Sequence, residues 1–201
     1  MKIYLIRDPM LIGRFARYTY SGTWSDGILC PKCRQSTERL VPPLLLEWEE
    51  GSDVLGDFAW AGGFRTPVVT DEARRRLSFL DPDVAWGKVQ VVPPERKRAR
   101  HKRIPYPYTG PKLWWLRPKH RVFMDREQAK RLLCPGCGEY VGPTWLTNIT
   151  LSRAEVGPHR LFRLAENGRD DAMFVTEEAA QRIRETNLQN VALVEAGEIV
   201  D

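Results

Sequence analysis

Val69-Thr70-Asp71-Glu72-Ala73-Arg74-Arg75-Arg76-Leu77 and Val175-Thr176-Glu177-Glu178-Ala179-Ala180-Gln181-Arg182-Ile183 align without a gap at an offset of 106 residues. Each stretch closes an apolar pair, Val68-Val69 or Phe174-Val175. Each is followed by a short β-branched segment, Val89-Gln90-Val91-Val92 or Val191-Ala192-Leu193-Val194. The local chemistry is that of a helix start. The Thr70 and Thr176 hydroxyls suit the N-cap, and the acids after them suit the positive end of the helix dipole. Chance could repeat so common a helix start. It does not explain the shared spacing to the flanking segments, so an internal duplication is expected.

Working outward, residues 57–60 and 160–164 occupy comparable places as strands ahead of a Gly-containing turn. Further strands are expected at 2–6, 17–20, 44–48 and 145–150. Asp125 and Gln128 read as a capping box for a helix over 126–133. The expected fold class is α+β: two pseudo-repeats of short strands plus one helix, joined through a zinc-ribbon-like four-cysteine site. Residues 1–94 form the first repeat, 95–121 a connector and 122–201 the second, packed as one compact domain.

The cysteines fall into two Cys-x-x-Cys pairs, Cys30/Cys33 and Cys134/Cys137, at an offset of 104 that nearly matches the repeat. Such a turn places two sulfurs near adjacent corners of a tetrahedron, and two turns complete a four-thiolate shell for one structural zinc ion. Gly138 follows the second pair and permits positive φ; Arg34 stands at that place after the first, so strain or a different turn is expected there. The 100 intervening residues exceed the spacing of a compact zinc ribbon. Duplication supplies the remedy, because equivalent turns can meet at an approximate two-fold axis, and closing a long loop costs only logarithmically more than closing a short one. A thioredoxin-like redox pair and four buried, unliganded cysteines are the rival readings. A closed four-sulfur shell leaves no position for a reacting water.

The chain has 201 residues, 42% of them hydrophobic, enough to build a core without disulfides. It lacks a run of 18 apolar residues, and its start, Met-Lys-Ile-Tyr-Leu-Ile-Arg-Asp, is too soon charged for a signal peptide. A cytoplasmic protein without membrane association is expected. The net charge of +5 is local: residues 95–121 hold ten Lys or Arg against Glu95 alone, while 122–201 hold nine basic against thirteen acidic residues. That basic segment carries Arg96, Arg98, Arg100 and Arg103, then Tyr106, Tyr108, Trp114 and Trp115 among prolines. Three readings stay open: a solvated linker, an arm for a protein partner, and a nucleic-acid-binding strip with cations for phosphate and rings for stacking. No Gly-rich phosphate loop, nucleophile elbow or His-Glu-x-x-His pattern occurs, and the three histidines are scattered, so a non-catalytic protein is expected.

Two Cys-x-x-Cys turns about a hundred residues apart, with Leu161-Phe162-Arg163-Leu164, Phe174-Val175-Thr176-Glu177-Glu178, a short helix and a final strand, resemble the double-CXXCG motif proteins. That family is expanded in myxobacteria and includes immunity proteins that neutralise contact-delivered polymorphic toxins. The resemblance implies a stoichiometric inhibitor of a cognate protein toxin, with nucleases among the candidates. Arg96, Arg98, Arg100, Arg103, Trp114 and Trp115, together with the acidic Asp170 and Asp171, are the candidate partner-binding residues. Nucleic-acid binding through 96–121 is the alternative.

Overall fold

A computed structural model of the chain describes all residues except 23, 24, 26, 28, 35–40, 62–66, 96–100, 139, 140, 142–146 and 165–171. Twelve strands and four α-helices are assigned among the described residues. Six strands close a barrel: β2 (Arg17–Tyr20), β3 (Leu44–Trp48), β4 (Phe58–Ala61), β5 (Pro67–Thr70), β6 (Val84–Val91) and β7 (Leu113–Pro118). The other six form a sheet: β1 (Lys2–Arg7), β8 (His120–Val122), β9 (Ile149–Ser152), β10 (Leu161–Leu164), β11 (Met173–Thr176) and β12 (Ala192–Val200). The helices are α1 (Asp71–Arg76), α2 (Arg126–Leu132), α3 (Arg153–Val156) and α4 (Glu177–Glu185).

The two sheets share one wiring. The barrel runs β2-β4-β5-β7-β6-β3, with parallel pairs at both ends and three antiparallel pairs between. The open sheet runs β8-β10-β11-β1-β12-β9 with the same succession of orientations. The barrel differs in one added pair, antiparallel β2 with β3, which closes it. In the barrel the last strand in sequence, β7, lies between β5 and β6, while in the open sheet β1, which precedes the whole barrel, lies between β11 and β12.

The period-two alternation of strands explains how this chain fills three cores at once. Ala59 and Ala61 of β4 and Val68 of β5 face the barrel interior with Tyr18, Leu44, Leu46, Trp48 and Trp115. Their neighbours Phe58, Trp60 and Val69 face the opposite way. There they meet Ile6, Leu161, Met173 and Val175 of the open sheet, with Ala73 of α1 and Ala179, Ala180 and Ile183 of α4. On the far face of that sheet, Ile3, Leu5, Phe162 and Phe174 pack under α2 and α3. β4, β5, β10 and β11 are therefore buried on both faces, as their apolar sequences require.

The expected helix starts are present: Thr70 and Thr176 accept from the backbone N–H of Ala73 and Ala179. Loss of either hydroxyl is expected to cost about 1 kcal/mol. α2 begins as expected at Asp125, whose carboxylate accepts from Glu127 N and Gln128 N. The capping box is not closed, however. Gln128 turns away, its Nε2 donating to Asn148 O at 2.7 Å and its Oε1 accepting from Thr150 N at 3.0 Å, and so ties α2 to β9.

Two expectations are corrected. The connector over 95–121 ends early, because residues 113–118 are the central barrel strand β7 and 120–122 are β8. Nor is 1–94 a spatial unit, since β1 completes the sheet built from the C-terminal strands. A strand's sequence specifies which faces are buried, and several neighbours can satisfy that pattern.

The two halves also clasp each other through their helix-to-strand loops. Asn190, buried ahead of β12, donates from Nδ2 to Phe58 O at 2.8 Å and accepts at its own carbonyl from Trp60 Nε1 at 2.7 Å. Asp83, buried ahead of β6, accepts at Oδ2 from Arg160 N at 2.9 Å, at the entry to β10. Each loop thus satisfies backbone groups at the start of the other half's strand, where an unpaired group would cost about 1–3 kcal/mol.

Candidate metal centre

The second cysteine turn is delivered by α2. That helix seats Ala129, Leu132 and Leu133 against the core beneath the open sheet. Leu133 leaves the helix in an extended conformation (φ −108°, ψ 146°), and the chain returns so that Val141 N donates to Leu132 O at 2.8 Å. The first turn, after Leu29, has the same internal geometry. Arg34 N donates to Cys30 O and Gly138 N to Cys134 O, both at 2.8 Å, and both residues have positive φ, 56° and 73°. The expected strain at Arg34 is therefore borne in the backbone, with the turn itself unchanged.

The two turns meet. Cys30 Sγ lies 3.7 Å from Cys134 Sγ, and Cys33 Sγ 3.6 Å from Cys137 Sγ. All four sulfurs lie within 4.8 Å of one another. Metal–sulfur bonds of about 2.3 Å in a tetrahedron give sulfur–sulfur edges of roughly 3.8 Å, whereas a disulfide needs about 2.05 Å. The cysteines form no disulfide, and their spacing fits one ion held by four sulfurs. The turns touch closely enough that a Cβ on Gly136 would stand 3.1 Å from Lys32 Cδ and 3.3 Å from Cys30 Sγ.

Electrostatics favour thiolates. The backbone N–H groups of Cys33 and Lys32 point at Cys30 Sγ and hold its thiol down at about 6. The Gly136 N–H, 3.4 Å from Cys134 Sγ, lowers that thiol in the same way. A thiolate is the metal-binding form, so these amides prepare the site for a cation. Cys30 and Cys134 are buried, while Cys33 and Cys137 keep partial access to solvent.

The candidate partner residues fare differently. Arg96, Arg98, Arg100, Asp170 and Asp171 lie outside the described residues. Arg103 is half-buried. Trp115 is only 1% exposed in the barrel core, so its role is packing, and no partner can reach it. Trp114, the next residue, takes the opposite face of β7. Its Nε1 donates to Asp71 Oδ1 at 2.7 Å, and Arg74 and Lys112 stack over its ring at 3.9 and 4.6 Å. Tyr108 packs on Trp48, while Tyr106 is exposed. Lys119 turns its ammonium onto the Asp81 and Pro82 carbonyls.

A second constellation escaped the sequence reading. Two of the three histidines, His120 and His159, converge on Asp83. Nothing in their sequence spacing signals this, because they meet only once β8 and β10 pair in parallel.

No family model and no curated protein matches this chain. Among the described residues, no helix is long and apolar enough to cross a membrane.

Proposed function

We propose that this chain is a toxin-immunity protein: a non-enzymatic, zinc-pinned scaffold that neutralises a cognate protein toxin by one-to-one binding. The observation that carries the reading is the meeting of two distant Cys-x-x-Cys turns at tetrahedral sulfur spacing. Arg34 adds to it. It stands where the double-CXXCG pattern has glycine, yet it adopts the glycine-like φ and keeps the turn's hydrogen bond. A closed tetrahedral shell of four thiolates suits zinc, and its role in such a shell is structural.

The duplication belongs to the same proposal. Twelve strands in two sets of six, with matching order and pair orientations, support two copies of one unit that exchange their first strand, β1 for β7. The matching caps at Thr70 and Thr176 and the matching cysteine turns support it further. Exchange locks the halves together, and the metal ties the two turns that stand apart from the sheets. A preorganised scaffold of this kind loses little entropy on binding, which suits a tight inhibitor.

The alternative, nucleic-acid binding through 96–121, draws less support from the described residues. Trp115 is core, Trp114 is covered by its own cations, and Lys119 is engaged by carbonyls. The deciding experiment is co-expression with the product of a neighbouring toxin-like reading frame. The immunity reading expects rescue of growth and a one-to-one complex. Unrelieved lethality with no complex refutes it, and salt-dependent binding to nucleic acid in its place would promote the alternative.

A further inference from the structure

We infer that Asp83, His120 and His159 form a second divalent-metal site, of nitrogen–oxygen character and with an open coordination position. Its three donors come from different parts of the fold: the turn before β6, the first residue of β8, and the loop entering β10. Asp83 Oδ1 lies 3.3 Å from His120 Nε2 and 3.1 Å from His159 Nδ1. An ion with ligand bonds of about 2.0–2.1 Å in tetrahedral array separates its donors by roughly 3.3 Å. Both ring nitrogens already stand near that separation from the shared carboxylate oxygen.

The surroundings reserve the carboxylate for these two rings. Oδ2 is taken by the Arg160 backbone N–H at 2.9 Å, which orients the group and leaves Oδ1 as a single free donor. The nearby cations are engaged elsewhere. Lys119 Nζ is held by the Asp81 and Pro82 carbonyls at 3.0 and 3.1 Å, and the Arg160 guanidinium reaches Phe79 O at 3.5 Å and Glu178 at 3.7 Å. Asp83 is 7% exposed in its side chain, and the imidazoles are 31% and 29% exposed. An anion is thus buried behind two rings that face solvent on their outer side, and the fourth position on that side is left for water or an incoming ligand.

The imidazoles stack with centroids 3.4 Å apart and planes 16° from parallel. Both rings contact Asp83 Oδ1. Ion binding requires each ring to rotate its Asp83-facing nitrogen onto the ion as a lone pair, any proton there leaving to solvent or to the other ring nitrogen. The donor set of two neutral imidazoles and one carboxylate suits zinc, cobalt or nickel, and differs in kind from the four-sulfur centre.

The test uses the full chain with zinc already in the cysteine site, titrated with Co2+. The expected result is one further equivalent of cobalt, with weak visible absorption and no thiolate-to-cobalt charge-transfer band. Paramagnetic shifts should appear at the His120 and His159 ring protons. The His120→Gln/His159→Gln double variant should lose that equivalent while keeping its zinc, and Asp83→Asn should weaken it about tenfold or more. No second equivalent in the wild type, or one that leaves both histidine signals unmoved, overturns the site. So does undiminished binding in the double variant. Should that variant fail to fold, the wild-type ring shifts and Asp83→Asn decide the question.

Discussion

Arg34 and Gly138 are backbone equivalents. Each follows the last cysteine of its pair, each has φ in the left-handed region (56° and 73°), and each donates its N–H to the first cysteine's carbonyl at 2.8 Å. An L-residue with a Cβ costs about 1–2 kcal/mol in that region. Among the described residues nothing lies within 4 Å of a Cβ built on Gly138, so Gly138→Ala should cost about 1 kcal/mol from the backbone alone. Arg34→Gly should stabilise by somewhat less than that, because glycine also gains freedom in the unfolded chain. Chemical denaturation of the zinc-loaded protein measures both. Equal and negligible changes would mean that the two turns are not held to one geometry.

The cysteine centre should respond to pH in one direction. The Cys30 thiol is held at about 6, below its ordinary value of 9.0, by the Cys33 and Lys32 amides. A depressed folded-state value favours the native state above the unfolded value, and the contribution is lost as pH falls through the folded one. In the metal-free chain, stability should therefore decline on acidification toward about pH 6, with the thiolate ultraviolet absorbance falling in step. In the loaded chain protons compete with the ion, so metal release should follow the same acidification. Cys134→Ser should abolish stoichiometric zinc retention, as read by elemental analysis.

Legibility followed the range of each interaction. Thr70 and Thr176 were readable as caps because hydroxyl and amide are three residues apart, and the cysteine pairs because their turns are local. β7 was hidden: Trp114 and Trp115 sit behind prolines and cations, and only their opposite faces, one on Asp71 and one in the barrel core, reveal a strand. The destination of β1 was equally hidden, since Ile3 and Leu5 on one face and Ile6 on the other specify two buried faces and name no neighbour. His120 and His159 looked scattered because their meeting at Asp83 depends on that long-range pairing.

Gly197 marks where the open sheet is least tolerant. It has φ 155° and pairs with both Ile3 of β1 and Ile149 of β9, beside the register shift between Ile3 and Tyr4. A Cβ there would stand 1.9 Å from Ile149 O and 2.6 Å from Ile149 N, both backbone atoms that no side-chain rotation can clear. Gly197→Ala should therefore prise β9 from β12 and cost about 3 kcal/mol. Hydrogen exchange should show the loss of protection concentrated in β9 and β12, whereas a uniform loss would place the strain elsewhere.

The placement of β1 and β7 makes a sharper prediction about how the halves of the sequence depend on each other. β1 lies between β11 and β12, and β7 between β5 and β6, so each sheet has its middle strand supplied by the other half of the sequence. Cutting the chain after residue 100 should leave two fragments that each lack a central strand and expose the apolar faces beside the gap. Expressed alone, each should be aggregated or unfolded. Expressed together, they should assemble into a one-to-one complex that regains the four-sulfur centre, since Cys30 and Cys33 lie on one fragment and Cys134 and Cys137 on the other. Size-exclusion chromatography with zinc analysis reads the outcome. A stably folded monomer from either fragment alone would show that the central strand is dispensable and would remove the exchange from the proposal.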